Sequence, residues 1–171
     1  YYAFVMRNEE NGTRYFVFDL PRPCDGEICE KYGVKRVDSI EELTELSDGI
    51  IVLSPSFCER HEHLCKIPLA SGKPCYVDKT FAPDYATAKR IIDYGKQTGA
   101  NFWSSSATRF ETVMLDYLKE DAPHIDKVTV ISGNPFEMYC IHLVELVNTF
   151  MKNGAKSVIC HNGSPSIMFE I

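Results

Sequence analysis

Apolar positions in the first hundred residues form short continuous runs that alternate with longer segments of helical spacing. The short runs predict buried strands at residues 15–18, 49–53, 75–77 and 101–103. The longer segments predict helices at residues 25–32, 40–46, 57–71 and 83–98. Because strands alternate with helices, the pattern favours an α/β fold with a doubly wound parallel sheet and right-handed crossovers.

Local signals refine this pattern at three places. The apolar residues of the segment 1–7 predict the end of a helix, which Asn11-Gly12 would stop. Further on, Ser39 stands three residues before Glu42, which is the signature of a capping box at the start of a helix. In the helix after residue 82, Pro83 is expected in the first turn.

The pattern changes after residue 104. It predicts helices at 108–120 and 136–152, and strands at 127–132, 156–160 and 166–171. We therefore expect two domains: residues 1–104 carry the doubly wound sheet, and residues 105–171 form the start of an α+β domain with an open sheet.

Composition and charge narrow the functional classes. The chain of 171 residues is 44% hydrophobic and has a formal net charge of -6, so we expect no nucleic-acid partner. The apolar runs are too short to span a bilayer, and no membrane partner is expected. Seven cysteines without a framework spacing favour reduced thiols in a cytoplasmic protein. The first residues match neither a signal peptide nor a natural start.

Polar residues follow the predicted parallel strands at their carboxyl ends, where such sheets bind ligands. They are Asp19, the run Ser54-Pro55-Ser56, and the run Asp78-Lys79-Thr80. An acidic residue at the position of Asp19 can accept hydrogen bonds from the ribose of a dinucleotide. The alternative is that Asp19 is a solvated turn residue before Pro21.

Two side chains are candidates for proton transfer. Lys79 at a strand end can hold a carboxamide or a substrate hydroxyl, or it can be a surface lysine paired with Asp78. His142 lies in an apolar helical segment and can exchange a proton near neutral pH, or it can be a hydrogen-bonded core residue.

A third cluster has residue types that bind zinc. Cys58, His61 and Cys65 share one face of a predicted helix. Their spacing matches no zinc pattern and no second ligand pair occurs, so we expect no metal and interpret the cysteines as packing residues.

Several stretches occur in the order of the motifs of one known family. They are Asp48-Gly49-Ile50-Ile51-Val52-Leu53-Ser54-Pro55, then His61, then Leu69-Ala70-Ser71-Gly72-Lys73-Pro74-Cys75-Tyr76-Val77-Asp78-Lys79, then Arg109-Phe110 and Ile141-His142-Leu143-Val144-Glu145. This order resembles the Gfo/Idh/MocA oxidoreductases, the family of glucose-fructose oxidoreductase and inositol dehydrogenase.

The resemblance implies an NAD(P)-binding Rossmann domain and a second domain with the substrate pocket and often an oligomer interface. It implies hydride transfer between nicotinamide and a sugar, polyol or similar small hydroxylated substrate. Lys79 would polarise the reacting hydroxyl and His142 would act as acid or base. The cofactor cleft would be lined by Ser54, Pro55, Ser56, His61, Asp78 and Lys79. Asp19 at the ribose would favour NAD, with NADP possible.

The chain departs from the family pattern at several points. The glycine-rich phosphate loop and the strand before it are absent, so the pyrophosphate would lose its helix N-terminus. Thr80 replaces the proline after the motif lysine. Met138 replaces the acid four residues before the histidine, with Glu137 as a displaced substitute. These departures keep open the alternative of a non-catalytic nucleotide-binding or scaffold member of the family.

Overall fold

The structure, a computed structural model, describes residues 2–9, 12–18, 30–31, 33, 35–54, 57–119, 125, 127–151, 157–160 and 167–170. It consists of two compact units, Tyr1–Ser104 and Ser105–Ile171.

The first unit is built on a six-stranded sheet. Its strands are β1 (Tyr2–Glu9), β2 (Gly12–Phe18), β3 (Lys35–Arg36), β4 (Gly49–Leu53), β5 (Cys75–Val77) and β6 (Phe102–Trp103). Their order across the sheet is β3-β2-β1-β4-β5-β6. Strand β3 is parallel to β2, and β4, β5 and β6 are parallel to one another. Flanked by helices, the parallel strands form the expected α/β, Rossmann-like sheet.

The first strand corrects the sequence prediction of a helix at residues 1–7. Tyr2–Glu9 is a strand that runs antiparallel to both β2 and β4, with Glu9 opposite Gly12 and Tyr2 opposite Leu53. A short apolar run does not distinguish helix from strand by periodicity alone. Strand β2 is a hydrogen-bonding partner close in sequence for this segment. On its other side the segment pairs with β4, whose edge would otherwise be exposed.

The core of the first unit lies between the parallel strands and the helices α1 (Ile40–Glu45), α2 (His61–Ala70) and α3 (Tyr85–Thr98). Alternate residues of β4 point into it, so that Ile50 and Val52 are buried while their neighbours are partly exposed. The buried cluster consists of Val37, Leu43, Ile50, Val52, Cys65, Leu69, Cys75, Val77 and Ile91.

Side-chain caps fix where the helices begin. Ser39 accepts a hydrogen bond from Glu42 N at 3.0 Å, as the capping signature predicted. Asp84 is the cap of α3 and accepts a bond from Thr87 N at 2.7 Å. The helix therefore begins at Tyr85, and Pro83 precedes the cap instead of lying in the first turn. The predicted helix at 57–71 is a short 3₁₀ turn, Cys58–Arg60, followed by α2.

The second unit contains two α-helices, α4 (Thr112–Tyr117) and α5 (Phe136–Met151), within its described ranges. The predicted continuous helix at 108–120 is wrong, because Glu111 is extended, with φ -65 and ψ 148. This residue separates a 3₁₀ turn, Ala107–Phe110, from α4. The rings of Tyr117 and Phe150 pack with centroids 4.8 Å apart and join α4 to α5.

The predicted strand at 127–132 is also wrong, since these residues form no strand. A strand needs a hydrogen-bonded neighbour, and Ile131 is 89% exposed. The last two predicted strands are confirmed as the antiparallel pair β7 (Ser157–Cys160) and β8 (Ile167–Glu170).

Candidate active site

The sheet of the first unit brings several predicted site residues to one edge. Strands β2 to β6 all run in the same direction, since only β1 among the described strands of this sheet is reversed. Ser54 directly follows β4, and Asp78 and Lys79 directly follow β5. Asp78 N donates to Val52 O at 3.0 Å, which extends the ladder between the two strands to their ends. Asp19, Pro55 and Ser56 lie outside the described residues.

Ser54 is buried and turns the chain after β4. Its Oγ donates to Phe57 O at 3.0 Å, and its own carbonyl accepts from Phe57 N at 3.0 Å. The side chain is 1% exposed. The described contacts of Ser54 therefore stabilise this turn, and its contact with a cofactor stays a prediction.

His61, the first residue of α2, is fully buried and contacts the loop that carries Lys79. Its Nδ1 lies 3.0 Å from Phe81 O. Because a carbonyl oxygen only accepts, Nδ1 carries the proton and donates it. The other ring nitrogen, Nε2, is buried with no hydrogen-bond partner among the described residues. His61 thus holds the backbone two residues after Lys79, and its predicted place in a cofactor cleft is not tested.

The segment from Asp78 to Phe81 leaves the sheet as a turn. Asp78 and Lys79 are half-buried, and the peptide bond between Lys79 and Thr80 is cis. Tyr76 Oη donates to Asp78 Oδ1 at 3.4 Å. The Lys79 side chain therefore starts from an anchored segment, since its neighbours are tied to β4 through Asp78 and to α2 through Phe81.

A second group of polar side chains lies within the second unit. The carboxylate of Glu145 on α5 accepts hydrogen bonds from Ser105 Oγ at 2.5 Å and from Ser106 N. Arg109 Nη1 lies 3.7 Å from the same carboxylate. Glu145 is 17% exposed in its side chain, so its charge is stabilised by donors from the segment that opens this unit.

His142 lies one turn before Glu145 on the same helix. Its Nδ1 lies 2.5 Å from Ser106 Oγ, which itself lies 2.7 Å from Thr108 Oγ1. The ring of Tyr139 packs beside the imidazole with centroids 5.6 Å apart. The imidazole therefore has one direct hydroxyl partner, Ser106, and an aromatic neighbour, and its role in proton transfer stays a prediction.

The sequence pattern did not predict Ser105, Ser106 and Glu145 as site residues. Glu145 stands three residues after His142, a spacing that places two side chains on the same face of a helix. That spacing was a usable signal. No local pattern linked the two serines to α5, because they are about forty residues away in sequence. The side chains of Glu137 and Met138 lie outside what the structure describes.

The three residues with zinc-binding side chains are held in other ways. Cys65 is buried, and burial raises the pKa of its thiol well above the ordinary value. Burial also raises the pKa of Cys58. A zinc ligand must be a thiolate, which both shifts disfavour. Within the described ranges, no group of three or more His, Cys, Asp or Glu side chains is arranged to hold a metal ion.

No family model matches the chain. Among the described residues, there is also no helix with the length and apolarity that crossing a membrane requires.

Three positive matches are dehydrogenases. The chain is similar to glucose-6-phosphate 3-dehydrogenase of Bacillus subtilis, with 28% identity over 79 residues, 40% of this chain and 23% of that protein. A dehydrogenase (MviM) from Clostridium difficile matches 88% of this chain and 53% of its own, with a TM-score of 0.61 and 21% identity. WlbA dehydrogenase from Bordetella pertussis, solved with NADH and UDP-GlcNAcA, matches 73% of this chain and 40% of its own, with a TM-score of 0.53 and 13% identity.

The matched region is only part of each of these proteins. The chain spans about a quarter of the curated relative's length and about half of the Clostridium difficile structure. At these identities the likeness to solved structures establishes the fold. Its structural neighbours are dehydrogenases of the Gfo/Idh/MocA type, and the chain has their Rossmann-like fold.

Proposed function

We propose that this chain is the cofactor-binding and catalytic part of an NAD-dependent oxidoreductase. The reaction is hydride transfer between nicotinamide and a sugar, polyol or similar small hydroxylated substrate. The observation that carries the proposal is the position of Lys79, which follows β5 at the carboxyl edge of a Rossmann-like sheet on an anchored turn. The dehydrogenases with this fold support the same activity.

We infer that the described residues at this edge of the sheet would hold the nicotinamide end of such a cofactor. The carboxyl ends of β4 and β5 meet at one edge, and they supply Ser54, Asp78 and Lys79. The buried Nε2 of His61 accepts no bond from the described residues and would take one from a donor. The sequence contains no glycine-rich phosphate loop, so the fit concerns this end of the cofactor only.

Each candidate residue has a defined task in this proposal. Bound nicotinamide would supply the acceptor or donor of hydride. Lys79 would hold and polarise the reacting oxygen of the substrate with its ammonium group. His142 would take the hydroxyl proton during oxidation and return it during reduction.

The preferred dinucleotide would be NAD. Asp19 follows the last residue of β2, and its carboxylate would accept bonds from the adenosine ribose and repel a 2′-phosphate. Arg22, three residues after Asp19 in the sequence, would have the opposite effect, because a guanidinium attracts a 2′-phosphate. Tighter binding of NADH than of NADPH supports the role of Asp19, and the reverse order would assign the preference to Arg22.

The test is the reduction of NAD⁺ by the intact chain with a panel of hydroxylated substrates. The panel includes glucose 6-phosphate, because the similar Bacillus subtilis protein is a glucose-6-phosphate 3-dehydrogenase. It also includes UDP-GlcNAcA, because the similar WlbA structure contains that compound. Lys79→Ala is expected to lower turnover by about 10²-fold or more while changing the Kd for NADH little. Lys66→Ala, a change at an exposed lysine on α2, is the matched control and should keep wild-type turnover. Equal turnover in Lys79→Ala and wild type would remove Lys79 from the chemistry.

A second candidate function is a non-catalytic nucleotide-binding or scaffold protein. The antiparallel β1 favours it, because dinucleotide-binding sheets have a parallel strand and a phosphate loop at this place. NADH binding without turnover on any substrate of the panel would support this candidate over the enzyme.

Assembly and location belong to the same proposal. Enzymes that the sequence resembles often self-associate through their second domain, and we infer a homo-oligomer formed in this way. The reduced cysteines expected from the sequence support a cytoplasmic protein.

A further inference from the structure

The segment that opens the second unit carries a hydroxyl group with three polar neighbours. Ser106 is fully buried. Its Oγ lies 2.5 Å from His142 Nδ1, 2.7 Å from Thr108 Oγ1 and 3.2 Å from Thr108 N. A serine hydroxyl has two lone pairs and one proton, so three partners use its full capacity.

Only two arrangements of protons satisfy all three contacts, and in both of them Thr108 N donates to Ser106 Oγ. In the first, His142 Nδ1–H donates to Ser106, and Ser106 donates to Thr108 Oγ1. In the second, Thr108 donates its hydroxyl proton to Ser106, and Ser106 donates to the lone pair of His142 Nδ1. The two arrangements therefore differ in which nitrogen of the neutral imidazole carries the proton.

The charge of Glu145 distinguishes the two arrangements. Its carboxylate accepts the backbone N–H of Ser106, the same residue whose hydroxyl contacts His142 Nδ1, and Glu145 follows His142 by three residues on the same helix. A nearby negative charge favours a proton on that nitrogen. Arg109 offsets the charge only in part, because it is 3.7 Å away and its side chain is 48% exposed.

We propose that Ser106 is a positioning residue that holds neutral His142 with its proton on Nδ1, so that Nε2 is the nitrogen that takes up or returns a proton. The proton position follows from the contacts within the second unit. Its catalytic consequence rests on the proposed function: the substrate hydroxyl proton would pass to Nε2 while the hydride leaves the substrate carbon for nicotinamide.

The test is ¹⁵N NMR of the histidine side chains in the intact chain, recorded at a pH where His142 is neutral. The His142 signals are assigned by their loss in His142→Gln. Wild type is expected to show a protonated Nδ1 and an unprotonated Nε2. Ser106→Ala is expected to move the proton mainly to Nε2, and Ser106→Thr, which retains a hydroxyl, is expected to restore the wild-type pattern. A wild-type protein with its proton on Nε2 would overturn the proposal, as would an unchanged pattern in Ser106→Ala.

A second variant keeps the proposal testable if the loss of a buried serine unfolds the protein. Thr108→Val removes the acceptor of the Ser106 proton and nearly conserves shape. Ser106 would then turn its proton toward Nδ1, so the imidazole proton is again expected to move to Nε2. The exposed Thr112 offers the matched control, and Thr112→Val should leave the pattern unchanged. A Thr108→Val protein with the wild-type pattern would contradict the proposed hydrogen-bond chain.

Turnover measured on the same variants separates this proposal from the proposed function. Ser106→Ala is expected to lower kcat with little change in the KM for NAD⁺, and Ser106→Thr should recover much of the loss. A wild-type protein without turnover would overturn the proposed function, and the NMR result would still decide the position of the proton.

Discussion

At the scale of single residues, Gly95 shows how closely α3 approaches the sheet. A Cβ at this position would lie 2.9 Å from Phe102 Cζ and nearer still to Cε1. Replacing glycine by alanine inside a helix ordinarily stabilises it by up to about 1 kcal/mol. Here we expect Gly95→Ala to lower the free energy of unfolding by about 1–3 kcal/mol, because the ring of Phe102 must move.

Chemical denaturation measures this effect. Gln97→Ala, an exposed change two residues away on the same helix, is the control and should alter stability by less than about 0.5 kcal/mol. A Gly95→Ala protein as stable as the Gln97→Ala protein would show that the ring moves without cost.

The buried thiols predict a response to alkaline pH. Burial raises the pKa of Cys75 from 9.0 to about 12. Between these values the unfolded chain has lost a proton that the folded chain keeps, so stability falls as pH rises from about 9 toward 12. Cys75→Ala should show a smaller loss of stability between pH 8 and pH 10.5 than wild type, measured by urea denaturation at both values. The same loss of stability in both proteins would mean that the Cys75 thiol ionises over the same pH range in the folded and the unfolded chain.

How much of the candidate site the sequence predicted depends on the range of each contact. The predicted position of Lys79 after a strand is confirmed, because a buried run followed by charged residues is a local pattern. The contact between Ser106 and His142 joins residues 36 positions apart, and no periodicity reports such a pair. The hydrogen bond from His61 to Phe81 O was missed for the same reason.

At the scale of elements, Lys73 joins the turn before β5 to the end of α1. Its Nζ donates to Thr44 O at 2.5 Å and to Glu45 O at 3.0 Å, and these carbonyls belong to the last turn of the helix. The ammonium group donates to carbonyl oxygens that have no partner within the helix, and its positive charge complements the negative end of the helix dipole. We expect Lys73→Met to lower the free energy of unfolding by about 1–2 kcal/mol.

Thermal or urea denaturation tests the role of Lys73, with Lys66→Met as the matched control on the exposed surface of α2. Loss of stability in Lys73→Met alone would support the capping contact. Equal behaviour of the two variants would show that the two hydrogen bonds of Lys73 add nothing measurable.

The errors among the predicted elements have a common physical origin. Residues 1–7 were predicted as the end of a helix, but residues 2–9 form a strand, since pairing with β2 and β4 decides a run that periodicity leaves ambiguous. Residues 127–132 were predicted as a strand and are not, because propensity alone supplies no hydrogen-bonded neighbour. Elements with their own caps, such as α1 and α3, were predicted to within a few residues.

At the scale of the whole molecule, the two proposed catalytic side chains belong to different units. Lys79 lies in the unit built on the parallel strands, and His142 lies in the unit that contains α5. In the proposed hydride transfer each side chain has its own task, and the dinucleotide would bind at the carboxyl edge of the sheet. Binding of that dinucleotide is therefore the central claim of the proposal.

The most direct test is a titration of the intact chain with NADH, followed by nicotinamide fluorescence. We expect saturable binding to one site per chain, weaker binding of NADPH, and little change in Lys79→Ala. A chain that shows no saturable binding of either dinucleotide, while its folded state is verified by circular dichroism, would contradict the proposed oxidoreductase function.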